Sequence, residues 1–99
     1  MIEIRRTSRG KFYYLISGQK SKTYTTRQKC VKGLRSLRKN THNFDYDDGN
    51  SKLVHYFSGN NKLLLTVSVP AEYRTMIVEE IEKVLAGSRY VYQGITYKL

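Results

Sequence analysis

The chain is poor in cysteine, histidine and acid, and has no long apolar run; each scarcity closes a route. With Cys30 the single cysteine among 99 residues, neither an intramolecular disulfide nor a cysteine-based zinc cluster can form. No apolar stretch reaches the ~18 residues that a membrane span needs. Glu3, Arg5, Arg6, Arg9 and Lys11 stand where the apolar core of a secretory leader would lie, so no leader and a reducing, cytoplasmic setting are expected. The length fits one domain, residues 1–99, without room for separate cofactor and substrate domains. What is present is enough to fold: 39% of the residues are hydrophobic, nine Tyr and three Phe among them.

Acid is scarce in a particular place. Against 18 Lys and Arg there are eight Asp and Glu, a formal net charge of +10 that calls for a polyanionic partner. Residues 1–40 hold 12 of the cations and only Glu3, net +11, whereas residues 41–99 hold six cations and seven acids, net −1. Charge used for solubility would be interspersed, so this asymmetry predicts a basic face on the first half.

That half must also fold. Ile2 and Ile4 alternate with polar residues in a short strand, and Ser8-Arg9-Gly10-Lys11 offers a turn. A second strand follows over residues 11–17, with Phe12, Tyr14 and Ile16 on one face and Tyr13 and Leu15 on the other. Residues 17–20 turn again, and Ser21 to Tyr24 forms an optional third strand whose Lys20 and Lys22 suit an edge. Thr25 with Gln28 reads as a capping box opening a helix that runs to about Lys39 and stops at Asn40. Cys30, Val31, Leu34 and Leu37 make its apolar stripe, which leaves Gln28, Lys32, Arg35 and Lys39 opposite and Arg27, Lys29 and Arg38 on the flanks. Gly33 inside this helix predicts close packing on the sheet.

Residues 41–50 read as an acidic loop with room for a short strand at residues 44–46. Two strands, residues 53–58 and 62–69, flank the turn Gly59-Asn60-Asn61. Pro70 then opens a second helix with a buried stripe of Tyr73, Met76, Ile77, Ile81, Val84 and Leu85, ended by Gly87. Tyr90-Val91-Tyr92 and Ile95-Thr96-Tyr97 flank Gln93-Gly94 as a final hairpin. The expected class is α+β, in the order ββ(β)α–ββα–ββ, with two helices on one side of an antiparallel sheet and a weak internal repeat.

Gly10-Lys11-Phe12-Tyr13-Tyr14-Leu15, Tyr24, and the run Gly33-Leu34-Arg35-Ser36-Leu37-Arg38-Lys39-Asn40 resemble the small YegP-like domain, a family of unknown function. The resemblance covers residues 1–40, implies strands followed by one helix, and carries over no functional residues. The turn around Gly18 is several residues shorter than in the family, the basic load is heavier, and no second copy of the motif is visible in residues 41–99.

Chemistry has few footholds. His55 shares a strand face with Leu53 and Phe57 and reads as structural; His42 reads as an exposed loop residue. A metal-independent ribonuclease would need one of them with Tyr and Lys or Arg around it, a third-ranked reading. Asp45, Asp47 and Asp48 before Gly49-Asn50 fail the calcium-loop pattern, since Tyr56 stands where a bidentate Glu is required, and read as a solvated turn. Cys30 reads as a buried, inert thiol. No cofactor, metal site or catalytic residue is expected, and the Gly-rich phosphate motifs are missing.

Binding of nucleic acid, RNA ahead of DNA, fits the charge best. The expected contacts are Arg5, Arg6, Arg9 and Lys11 around the first hairpin, Lys20 and Lys22 at the next, and Arg27, Lys29, Lys32, Arg35, Arg38 and Lys39 on the helix, with Tyr13 placed to stack an unpaired base. The alternative is an inhibitor or adaptor of the kind phages and mobile elements direct at host or defence proteins, anchored by Tyr90, Tyr92 and Tyr97. A membrane surface is not an expected partner, because the first helix lacks the aromatic residues of interfacial helices. Monomer and dimer are both open.

Overall fold

A computed structural model describes residues 1–99. The order is β1 (Ile2–Arg6), β2 (Phe12–Ile16), β3 (Gln19–Lys20), α1 (Arg27–Lys39), β4 (Phe44–Tyr46), β5 (Leu53–Phe57), β6 (Leu63–Ser68), a 3₁₀ turn (Ala71–Tyr73), α2 (Arg74–Ala86), β7 (Arg89–Tyr92) and β8 (Ile95–Lys98). The fold is α+β, and no helix is long and apolar enough to cross a membrane.

Two sheets replace the single antiparallel sheet that was expected. One has the order β3-β2-β1-β7-β8, the other β4-β5-β6. Every pair is antiparallel except β1 with β7, where Glu3 faces Val91 and Ile4 faces Tyr92 in parallel register. The hairpin joining β7 and β8 is local and legible; the docking of β7 beside β1 closes a loop of most of the chain and leaves no local sign.

Strand alternation decides which residues go inside. Ile2, Ile4, Tyr14, Ile16 and Tyr90 point inward from the five-stranded sheet, and Val54, Tyr56, Leu65 and Val67 from the three-stranded one. They meet Cys30, Val31, Leu34 and Leu37 of α1 and Ile77, Ile81 and Leu85 of α2 in one cluster of 17 buried residues. Two hydrogen bonds tie the sheets together. The Tyr14 hydroxyl donates to the Leu64 carbonyl at 3.3 Å, and the Ser68 amide donates to Gln19 Oε1 at 3.1 Å.

Several elements differ from expectation for identifiable reasons. The N-cap of α1 is Thr26, whose Oγ1 accepts from the Lys29 amide at 3.1 Å, so the Thr25–Gln28 box is out by one residue. The third strand is Gln19–Lys20 rather than Ser21–Tyr24. Buried Ser21 puts its Oγ on the Tyr14 amide at 2.9 Å, which interrupts the ladder before Tyr24 rejoins Phe12 in an isolated bridge. The strand at residues 44–46 forms, so both halves run as three strands and a helix. Ile77, Ile81 and Leu85 form the buried stripe of α2, while Tyr73, in the 3₁₀ turn ahead of the helix, is 47% exposed, and Met76, about 140° around the helix from Ile81, is 64% exposed. Gly33 packs against a tyrosine rather than a strand; a Cβ there would overlap the Tyr24 hydroxyl.

Candidate nucleic-acid interface

The basic face of α1 follows from its buried one. Because Cys30, Val31, Leu34 and Leu37 are turned into the core, Lys29, Lys32, Arg35, Arg38 and Lys39 are all exposed, and the helix contains no acid. Lys32, Arg35 and Lys39 climb the ridge at intervals of about 4.5 and 6 Å along the axis. Among all 18 Lys and Arg, only Arg5 is ion-paired, with Glu3. The ridge has an acidic boundary at its C-terminal end, where Arg38 and Glu82 of α2 line a shallow depression of about 200 Å³ and His42 pairs with Glu82 at 3.4 Å.

At its N-terminal end the ridge runs into the first hairpin. Arg27 lies over the rings of Tyr92 and Tyr97, 4.7 and 5.2 Å from their centroids. Tyr92 packs on Phe12 at 6.2 Å, and Arg6 lies over Phe12 at 5.7 Å. Lys22 lies over Tyr24, the bridge partner of Phe12, at 5.5 Å. Arg9 and Lys11 are exposed in the turn beyond, which Thr7 closes by accepting from the Lys11 amide at 3.1 Å and donating its own amide to the Lys11 carbonyl. Contacts thus run unbroken from Arg6 to Arg27 and on to the helix.

Arg5, Tyr13 and Lys20 are elsewhere. Tyr14 points to the side of the sheet that α1 covers, stacking on Tyr24 at 6.5 Å, so its neighbour Tyr13 points to the other side. Arg5 is the cross-strand partner of Tyr13, and the Lys20 ammonium sits 4.4 Å from its ring centroid. The single interface expected from sequence is therefore split between two opposite surfaces. Arg89 and Lys98, paired across β7 and β8, belong to the Tyr13 side and were not among the cations expected from sequence. Seven acids in residues 41–99 cancelled them in the charge count; the burial alternation of the last hairpin, with Tyr90 inside, was the signal that could have shown them.

The residues suited to chemistry are held in structural bonds. His55 Nε2 meets Asp47 Oδ2 at 2.8 Å and Nδ1 meets Thr66 Oγ1 at 3.1 Å, on the outer side of the three-stranded sheet. The other oxygen of Asp47 accepts from the amides of Gly49 and Asn50 at 2.8 and 3.0 Å, which makes it the keystone of the turn. The His55 hydrogen bond, followed by those amides, holds its carboxyl below the usual carboxylate range. Asp45 and Asp48 are exposed, and no three His, Cys, Asp or Glu converge as metal ligands would. Cys30 is fully buried, and burial pushes its thiol up to about 12.

No protein-family model and no curated protein matches the sequence. In fold the chain is similar to a UPF0339 protein from Shewanella oneidensis, known from a solution NMR structure, with a TM-score of 0.77 over 92% of this chain and 88% of that one. That protein is of the YegP-like family. At 12% sequence identity the likeness is one of fold alone. It nonetheless reaches well past residues 1–40, where the sequence resemblance ended.

Proposed function

We propose that this protein binds nucleic acid, RNA in preference to duplex DNA, and acts by binding rather than by catalysis. The observation that carries the reading is the state of α1: six Lys and Arg, no acid, and no ion pair to any of them. Cations left without internal partners release bound counterions from a polyphosphate, which supplies affinity without sequence information. The ridge is closed by Glu82 at one end and open through Arg27 to Arg6, Arg9 and Lys11 at the other, so the ligand's path runs from the helix to the hairpin. RNA is favoured because α1 and α2 are separated by three strands, unlike a helix-turn-helix, and because Phe12 and Tyr92 set half-buried aromatic rings beside the cations of the hairpin end, where an unpaired base has a ring edge to meet.

The test is a gel-shift titration with single-stranded RNA, duplex RNA and duplex DNA at two salt concentrations. Engagement of the five ridge cations predicts a log–log salt slope of roughly −3.5 to −4.5, tightest on RNA. Absence of binding to all three at low salt overturns the reading. A protein partner that survives nuclease treatment in pull-down would replace it with the inhibitor class.

A further inference from the structure

We infer that the outer face of the five-stranded sheet is a second nucleic-acid surface, so that one molecule holds two single-stranded segments at once. The inference rests on the proposed binding by α1 and extends it to the side that α1 cannot reach.

The face is defined by register. Opposite the buried Ile2, Ile4, Tyr14, Ile16 and Tyr90 lie Lys20 of β3, Tyr13 and Leu15 of β2, Glu3 and Arg5 of β1, Arg89 and Val91 of β7, and Thr96 and Lys98 of β8. Both helices contribute to the core on the other side; on this side Arg5, Lys20, Arg89, Thr96 and Lys98 are exposed and Glu3, Tyr13, Leu15 and Val91 half-buried. Glu3 is its one acid and is already taken by Arg5, which leaves Lys20, Arg89 and Lys98 exposed without an internal counter-charge. At one end, Arg89, Thr96 and Lys98 line an open depression of about 530 Å³ with Gly87, Ser88 and Tyr97. At the other, Tyr13 is flanked by Arg5 and Lys20.

Charge and surface type together select the ligand. Cations at both margins of an open sheet, with Tyr13, Leu15, Val91 and the internally neutralised Arg5–Glu3 pair between them, match a strand whose phosphates meet the margins and whose bases lie on the sheet. Lys20 holds one side of the Tyr13 ring by a cation–π contact worth ~1 kcal/mol, little enough for a phosphate to draw it away and free the ring for a base. Because α1 packs on the buried side of this sheet, the face and the α1 ridge lie on opposite sides of a molecule whose Cα extents are 35 × 26 × 25 Å. A short oligonucleotide bound to one leaves the other vacant.

The experiment mixes donor-labelled and acceptor-labelled short single-stranded RNA oligonucleotides with the full chain, reads energy transfer between them, and monitors the protein's mass by analytical ultracentrifugation. Transfer in a complex containing one protein is expected. The triple variant Lys20→Glu, Arg89→Glu, Lys98→Glu, all exposed positions, is expected to lose transfer while keeping wild-type affinity for one oligonucleotide and a wild-type circular-dichroism spectrum. Transfer that persists in this variant, or a wild type with one site and no transfer, overturns the second surface and leaves the α1 reading standing. A wild type that binds neither oligonucleotide overturns the α1 reading, and this inference with it.

Discussion

Arg27, the first residue of α1, lies 4.7 Å from the centroid of Tyr92 at the end of β7, so the start of the basic helix is fastened to a strand that follows it by more than sixty residues. The same guanidinium reaches Tyr97 of β8, whose ring stacks on Tyr90 at 5.3 Å. One side chain thus orients the ridge relative to the hairpin and remains on the path the ligand is proposed to take. Arg27→Ala is expected to cost about 1 kcal/mol of stability through two partly exposed cation–π contacts. In a domain of this size that lowers Tm by about 4–8 °C, readable by thermal circular dichroism.

Gly33→Ala would stabilise an open helix by ~1 kcal/mol. Here the added methyl meets the Tyr24 hydroxyl, a buried oxygen without a hydrogen-bond partner, so the substitution is expected to destabilise by about 1–3 kcal/mol. Tyr24→Phe removes that orphan oxygen and is expected to be near neutral alone. Urea denaturation of the double mutant should show a loss smaller than the sum of the two; strict additivity would contradict the contact.

Asp47 gives acid sensitivity with a definite sign. Its carboxyl is held below the usual range in the folded state, chiefly by His55, so the stability it contributes is present above the ordinary carboxylate pKa of about 4 and is lost as pH falls through the folded value. The stability gap between wild type and Asp47→Asn is therefore expected to be largest near neutrality and to close below about pH 4. A gap unchanged across that range in chemical denaturation contradicts the assignment.

Cys30 is expected to resist an aqueous thiol reagent at pH 8 in the native protein and to react at once in denaturant, because burial both blocks the sulfur and pushes the thiol up to about 12. Rapid labelling of the folded chain contradicts its placement in the core.

How much of this was legible depended on range. The α1 stripe and the ridge opposite it follow from a 3.6-residue period within thirteen residues, and all four stripe residues are buried. The hairpin turns at Gly10, Gly18 and Gly94 take the left-handed conformation that their sequences advertise. What failed was non-local or phase-dependent. The β1–β7 pairing spans nearly the whole chain; a turn of 3₁₀ helix takes Tyr73 out of α2, and Met76 stands about 140° around the helix from Ile81 rather than in its stripe. The candidate interface was legible as a list of cations but not as a surface. Adjacent Tyr13 and Tyr14 face opposite ways, and only the helix packing shows which side is covered.

Binding of a polyphosphate by the unpaired cations of α1, as proposed, is read in the salt dependence of RNA affinity for wild type and for the exposed triple variant Lys32→Ala, Arg35→Ala, Lys39→Ala. The variant is expected to keep the fold, bind more weakly, and show a log–log slope reduced by about 2–3. An affinity and slope identical to wild type would contradict it.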